Sequence, residues 1–163
     1  MPDLVTHTAI AHLIRRLFDL RKSTGAVSSL RILFYLGTIL PDILTRPWYI
    51  LFPATYNWSL PFHTPAGVLS ACGLIALLFE PGLQKKVFWL LAAGSILHLI
   101  LDGFQKQIIG NNFWLYPFTW KDFGYGVLWA GEIMRYIPYW LGLVVTMEIG
   151  VVVYKSARKR SYR

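Results

Sequence analysis

The chain has 163 residues, of which 55% are hydrophobic and 15% are charged, and its formal net charge is +8. Soluble globular domains carry about 25% charged residues, so this composition argues against an ordinary soluble domain and favours a membrane protein. The single cysteine, Cys72, excludes an intramolecular disulfide and a zinc site built from several thiolates. The length is enough for one helical bundle. We therefore predict a single membrane-embedded domain over residues 1–163, with no nucleic-acid partner.

Five segments in chain order predict an all-α, polytopic membrane bundle. The first, Leu4 to Leu20, has apolar residues at helical spacing but is interrupted by polar ones. It predicts an amphipathic or short-spanning N-terminal helix that packs on the others. The remaining four are almost continuously apolar and predict about four transmembrane spans: Val27 to Ile43, Pro65 to Phe79, Val87 to Leu101 and Ile137 to Tyr154.

The distribution of basic residues predicts the orientation of these segments. Most of the 16 Lys and Arg residues gather at the end of the first segment and the start of the second, between the second and third spans, and in the C-terminal tail. Because Lys and Arg mark cytoplasmic ends, the C-terminus is predicted to be cytoplasmic and the two longer, aromatic loops to face outward. The basic tail from Lys155 to Arg163 also predicts contact with anionic lipid.

Two ionisable residues at the end of the third span are the strongest local signal for a functional site. His98 and Asp102 are four residues apart, so they share one face of a helix. Asp42 and His63 lie at the outer ends of neighbouring spans, and the predicted topology brings them to the same face. Ionisable residues within membrane helices are costly and usually functional.

The N-terminal helix adds a third histidine if it runs inward from the outer surface. His7 then joins the others, whereas His12 lies about 140° away on a helical wheel, and we favour His7. Imidazole and carboxylate groups bind zinc and harder divalent metals. The sequence therefore predicts a divalent metal site, with Zn²⁺ expected and Mn²⁺ or Mg²⁺ as alternatives. Its predicted ligands are His7, Asp42, His63, His98 and Asp102.

Further residues near these ligands are candidates for catalysis and substrate binding. The carboxylates Asp42 and Asp102 are the predicted catalytic residues. Arg46 and Lys106 each follow one of them by four residues, a spacing suited to holding a phosphate beside the metal. The following loop adds polar and aromatic side chains. The predicted substrate-binding residues are therefore Arg46, Lys106, Asn112 and Trp114.

The order of several short motifs resembles a known family. They are Thr6-His7, Leu40-Pro41-Asp42-Ile43, Phe62-His63-Thr64, His98-x-x-x-Asp102 and Trp114-Leu115-Tyr116-Pro117-Phe118. In this order they resemble the YdjM-like inner-membrane proteins, which are described as metal-dependent hydrolases, over most of residues 4–118. The His-x-x-x-Asp element also resembles secreted zinc-dependent phospholipases C. The resemblance implies a hydrolase of a bacterial or archaeal cytoplasmic membrane. An outward site at headgroup level then points to a phospholipid or a lipid-linked phosphoester as substrate.

The same residues also fit roles that involve no metal. Asp42 could end a helix or cap the next one, and the pair His98 and Asp102 could stabilise a helix. A cation or small-solute transporter and a non-enzymatic membrane adaptor are alternative functions. Glu148 interrupts the last apolar segment and predicts a structural ion pair with Arg15 or Arg16. The sequence does not indicate an oligomeric state.

Overall fold

The computed structural model describes residues 4–21, 29–106 and 113–161, and within these ranges the chain is mainly helical. Short 3₁₀ turns precede or follow several helices, and two strands of two residues pair in parallel. The prediction of an all-α architecture is confirmed, apart from this strand pair. The elements are α1 (Leu4–Arg21), α2 (Ile32–Leu51), α3 (Tyr56–Ser59), α4 (Pro65–Ala76), α5 (Pro81–Gly103), β1 (Gln105–Lys106), β2 (Leu128–Trp129) and α6 (Ala130–Ser161).

Helices α2 and α5 cross in close contact, where two glycines bring the backbones together. A Cβ atom on Gly37 would lie 2.2 Å from the carbonyl oxygen of Leu91, and one on Gly94 would lie 2.1 Å from that of Phe34. Small residues allow such close approach between helices in membranes. Helix α4 packs along α5 and completes the core. The buried members of the core are Leu33, Leu40, Val68, Cys72, Ala76, Val87, Leu91 and Leu99.

Helix α2 continues through Pro41 because a neighbouring helix replaces the hydrogen bond that proline cannot make. Proline has no N–H to donate to the carbonyl four residues earlier, which here belongs to Gly37. The hydroxyl of Ser95 on α5 donates to this carbonyl at 2.9 Å. The helix therefore extends to Leu51, and the prediction that this segment ends at Ile43 is wrong.

Helix α6 is the longest and least covered element. It has 32 residues, and only 6% of its most apolar window is buried inside the protein. Helix α1 packs against α6 and α2. The pairing of β1 with β2 joins the end of α5 to the start of α6, with Gln105 opposite Leu128 and Lys106 opposite Trp129.

Two of the described helices are long and apolar enough to cross a bilayer. They are Pro81–Gly103 and Gly131–Ala157, which contain the third and fourth predicted spans. Helix α4 has only 12 residues, a length of about 18 Å against the roughly 30 Å of a bilayer core. Helix α2 is longer, but Asp42, Arg46 and two prolines interrupt its apolar sequence. The prediction of about four spans is thus supported for two segments only.

Candidate metal centre

Five histidine and aspartate side chains from four separate segments meet about one helical turn beyond the crossing of α2 and α5. His7 comes from α1, Asp42 from α2, and His63 from the 3₁₀ turn before α4, while His98 and Asp102 come from α5. Four of them are nearly inaccessible, with His7 1% and His98 0% exposed. The side chain of His63 is 18% exposed and lies at the edge of the cluster.

The carboxylate of Asp102 lies between the three imidazoles. Its Oδ1 atom is 3.2 Å from Nε2 of His7, and its Oδ2 atom is 3.3 Å from Nε2 of His63 and 3.4 Å from Nε2 of His98. Oδ1 of Asp42 approaches the Nε2 atoms of His63 and His98 at 3.7 and 3.6 Å. These two nitrogens are themselves 3.3 Å apart. Three Nε2 atoms and three carboxylate oxygens therefore face one small region.

The spacing of these atoms fits a shared divalent cation. Ligand atoms bound to a tetrahedral zinc at about 2.0–2.1 Å lie about 3.3 Å from one another. Asp102 is almost completely buried, and its two carboxylate oxygens face three imidazole nitrogens at 3.2–3.4 Å, an arrangement typical of ligands around one cation. Two overlapping groups of ligands could hold a metal ion: His7, His98 and Asp102, and Asp42, His63 and His98.

The local sequence around His63 fixes this residue immediately before α4. The hydroxyl of Thr64 donates to the carbonyl of Pro61 at 2.7 Å and accepts from the backbone N–H of Gly67 at 3.2 Å. Thr64 is thus the N-cap of α4, and Pro65 occupies the first helical position, where its missing N–H costs nothing. Gly67 leaves room for the 3₁₀ turn, since a Cβ atom there would lie 2.0 Å from the carbonyl oxygen of Pro61.

Asp42 lies inside α2 and is oriented by Arg46 one turn later. Nη2 of Arg46 donates to Oδ2 of Asp42 at 2.7 Å, so Oδ1 of the same carboxylate faces His63 and His98. The interpretation of Asp42 as a residue that ends or caps a helix is therefore wrong. The Arg46 side chain is 24% exposed. Arg46 and His63 are both partly exposed, so the cluster is accessible to solvent on their side.

The other predicted substrate-binding residues have different surroundings. Lys106 does not lie one helical turn after Asp102, because α5 ends at Gly103 and Lys106 belongs to β1. Its Nζ atom lies 4.7 Å from the centre of the Trp129 ring. Trp114 is half-buried and packs against the hydrophobic core. Asn112 lies outside the described residues.

Tyr49 is a residue near the cluster that sequence reasoning missed. Burial raises the pKa of its phenol, and the charges of Arg46, Asp42 and Asp102 also act on it. The phenol therefore stays protonated and can donate a hydrogen bond. Asp42, Arg46 and Tyr49 follow one another at spacings of four and three residues, so the face they share on α2 was readable from the sequence.

A second polar cluster joins α1 to α6 and α2. Arg16 donates from Nε and Nη2 to the two carboxylate oxygens of Glu148, and Nε2 of His12 lies 2.7 Å from Oε1. Nδ1 of His12 is 2.9 Å from the hydroxyl of Tyr35, to which Arg15 also donates. The predicted ion pair between Glu148 and Arg16 is confirmed. His12 is engaged here, whereas His7 lies in the first cluster.

We expect Glu148→Gln to destabilise the protein by about 1–3 kcal/mol, because the new amide group faces the guanidinium of Arg16 and loses a charge-assisted pair. The melting temperature in detergent should fall by about 3–10 °C. Glu80→Gln is the matched control, since Glu80 is exposed and its side chain makes no capping hydrogen bond at the start of α5. Equal melting temperatures for the two variants would show that the cluster does not hold α1 in place.

Searches of protein-family models, of curated proteins and of solved structures found no match to this chain. The resemblance to the YdjM-like proteins therefore stays a prediction. The interpretation of the cluster as a candidate metal centre rests on the distances between its side chains, on their burial and on their ligand chemistry.

Proposed function

We propose that this protein is an integral membrane, metal-dependent hydrolase that cleaves a phosphoester bond in a phospholipid or a lipid-linked substrate. One observation carries the proposal. Five side chains of metal-ligand types, from four separate segments of the chain, meet with Nε2-to-oxygen distances of 3.2–3.7 Å. Without a metal ion, the burial of two carboxylates beside three imidazoles would carry a considerable desolvation cost.

The donor set favours zinc over harder cations. Three imidazole nitrogens with carboxylate oxygens are typical of catalytic zinc, while Mg²⁺ prefers oxygen ligands, and Mn²⁺ is an intermediate alternative. His7, His98 and Asp102 would hold the ion on the buried side, with His63 on the accessible side. When bound, such an ion supplies Lewis acidity to water and to a phosphoryl oxygen near neutral pH.

The chain's own residues assign the remaining roles. Asp42 keeps one carboxylate oxygen directed at the cluster while Arg46 holds the other, so Asp42 is positioned to take a proton from an attacking water. Arg46 carries a partly exposed guanidinium beside it, suited to a phosphate oxygen. Tyr49 adds a neutral phenol on the same face of α2. The proposed catalytic residues are thus Asp42, as the proton acceptor, and Asp102, as a ligand of the ion.

The membrane setting points to the class of substrate. Two apolar helices, α5 and α6, are long enough to span a bilayer, and His98 and Asp102 lie at the end of α5. The cluster would therefore lie near the level of the lipid headgroups. We propose that the site faces outward and that the basic C-terminal tail lies on the cytoplasmic side beside anionic lipid.

Zinc-loaded protein in vesicles of phosphatidylethanolamine and phosphatidylglycerol should release a new phosphorus species, followed by ³¹P NMR. We expect Arg46→Ala to lower the turnover number by about 100-fold, because it removes a donor to the developing phosphoryl charge. The same variant should keep its zinc, since the four residues proposed to hold the ion, His7, His63, His98 and Asp102, lie on other segments than α2. Lys121→Ala, in the exposed part of the loop before α6, is the control and should hydrolyse at the normal rate.

Two results would contradict the proposal. The first is an unchanged phosphorus spectrum from folded, zinc-loaded protein with every lipid class supplied. The second is accumulation of zinc inside the vesicles without hydrolysis, which would identify the cluster as part of a transport pathway.

A further inference from the structure

An apolar cavity of about 370 Å³ lies between α1, the end of α5 and the start of α6. Its walls include Ile10, Leu101, Leu128 and Ile133, which contribute hydrocarbon surface from four different elements. His7 also lines it. A volume of this size falls within the roughly 300–1,000 Å³ typical of small-molecule sites. The cavity is therefore large enough to hold a ligand and apolar enough to prefer a hydrocarbon one.

The cavity opens beside a helix that is long and apolar enough to span a bilayer. Three residues that line the cavity are partly exposed: Phe104 at 43%, Val127 at 63% and Tyr136 at 47%. Tyr136 lies in Gly131–Ala157, the part of α6 that is long and apolar enough to cross a bilayer. If α6 spans the bilayer, lipid molecules are the neighbours of this opening. A partner helix, about 10–12 Å across with its side chains, is too wide for a hollow of this volume.

We propose that an acyl chain of a membrane glycerophospholipid binds in this cavity. A flexible hydrocarbon chain fits a narrow apolar space, and it restores the dispersion contacts that the lining atoms lack when the space is empty. This inference goes beyond the proposed hydrolysis. It requires the membrane location but neither a metal ion nor a chemical step.

The bound acyl chain would also support the metal centre on the side where His7 lies. His7 lines the cavity, and its Nε2 atom lies 3.2 Å from Asp102 in the cluster. Ile10, one turn later on α1, lines the same cavity. A hydrocarbon chain packed against these residues would hold the start of α1 toward α5 and keep water away from the buried side of His7.

The test is photo-crosslinking in nanodiscs of phosphatidylethanolamine and phosphatidylglycerol that contain a trace of phosphatidylethanolamine with a diazirine on one acyl chain. The protein is kept in EDTA, so that the result is independent of zinc binding and of hydrolysis. We expect the label on Leu101, Leu128 and Ile133, located by peptide mass spectrometry. Ile133→Phe fills the cavity. It should lower labelling of Leu101 and Leu128 by about tenfold, because an acyl chain can then enter only if the tightly packed side chains around it shift.

Met134→Phe is the matched control, because Met134 follows Ile133 on α6 but is 61% exposed and does not line the cavity. Its labelling should equal that of the unmodified protein. Should Ile133→Phe fail to fold, Leu128→Phe narrows the same cavity from β2. Equal labelling in the cavity-filling and control variants, or label spread evenly along the exposed side of α6, would overturn the proposal. Competition by an isoprenyl lipid but not by a diacyl lipid would overturn it as well.

Discussion

Zinc should bind to the purified protein at one ion or more per chain, and His98→Ala or Asp102→Ala should remove it. His98 and Asp102 belong to the buried side of the cluster, where solvent cannot replace a lost ligand. Replacement of a supporting residue near a metal commonly costs 10–100-fold in affinity, so we expect the loss of a ligand to cost at least about 100-fold. Elemental analysis after dialysis and a competition titration with a zinc chelator measure this directly.

Two histidines on α1 provide an internal comparison. His7→Ala should weaken zinc binding, since its Nε2 atom lies 3.2 Å from Asp102. His12→Ala should retain the zinc content of the unmodified protein, because His12 contacts Glu148 and Tyr35 instead. A folded protein without zinc, or equal zinc affinity in the two variants, would remove the basis for a metal centre that includes α1.

The sequence predicted which of these side chains lie together where spacing within a helix or simple topology decides it. His98 and Asp102 share a face because both lie on α5, whatever the rest of the chain does. His63 lies immediately before α4, as expected for a residue that precedes an apolar segment. The position of His7 was harder to predict, because it depends on the direction of α1. In the structure His7 lies beside Asp102.

Prediction failed where a contact between elements overrides a local rule. Proline ends most helices, but the hydroxyl of Ser95 takes the place of the missing N–H beside Pro41, so α2 continues to Leu51. Lys106 was expected one helical turn beyond Asp102, but α5 ends at Gly103 and Lys106 belongs to β1. No local pattern announces either event, because the partner that decides it is distant in the chain.

The proposed metal centre also depends on the close approach of α2 and α5, which can be tested without substituting a proposed ligand. Gly94→Ala should destabilise the protein by about 3 kcal/mol and lower its melting temperature by roughly 10 °C, because the new methyl group cannot fit beside the backbone of α2. Its ideal Cβ position is 2.1 Å from the carbonyl oxygen of Phe34 and 2.7 Å from the backbone nitrogen of Thr38. Both contacts are with backbone atoms, so the helices must separate.

Separation of the two helices should weaken zinc binding as well, since α2 carries Asp42 and α5 carries His98 and Asp102. Gly73→Ala on α4 is the matched control, because nothing lies within 4 Å of its ideal Cβ position. Alanine is favoured over glycine by about 1 kcal/mol inside a helix, so this variant should be as stable as the unmodified protein or slightly more stable. Thermal unfolding in detergent, with a zinc titration on each variant, distinguishes the two substitutions. If both shift the melting temperature by the same amount and in the same direction, the crossing is looser than the structure indicates, and the geometry of the metal centre must be fixed by other contacts.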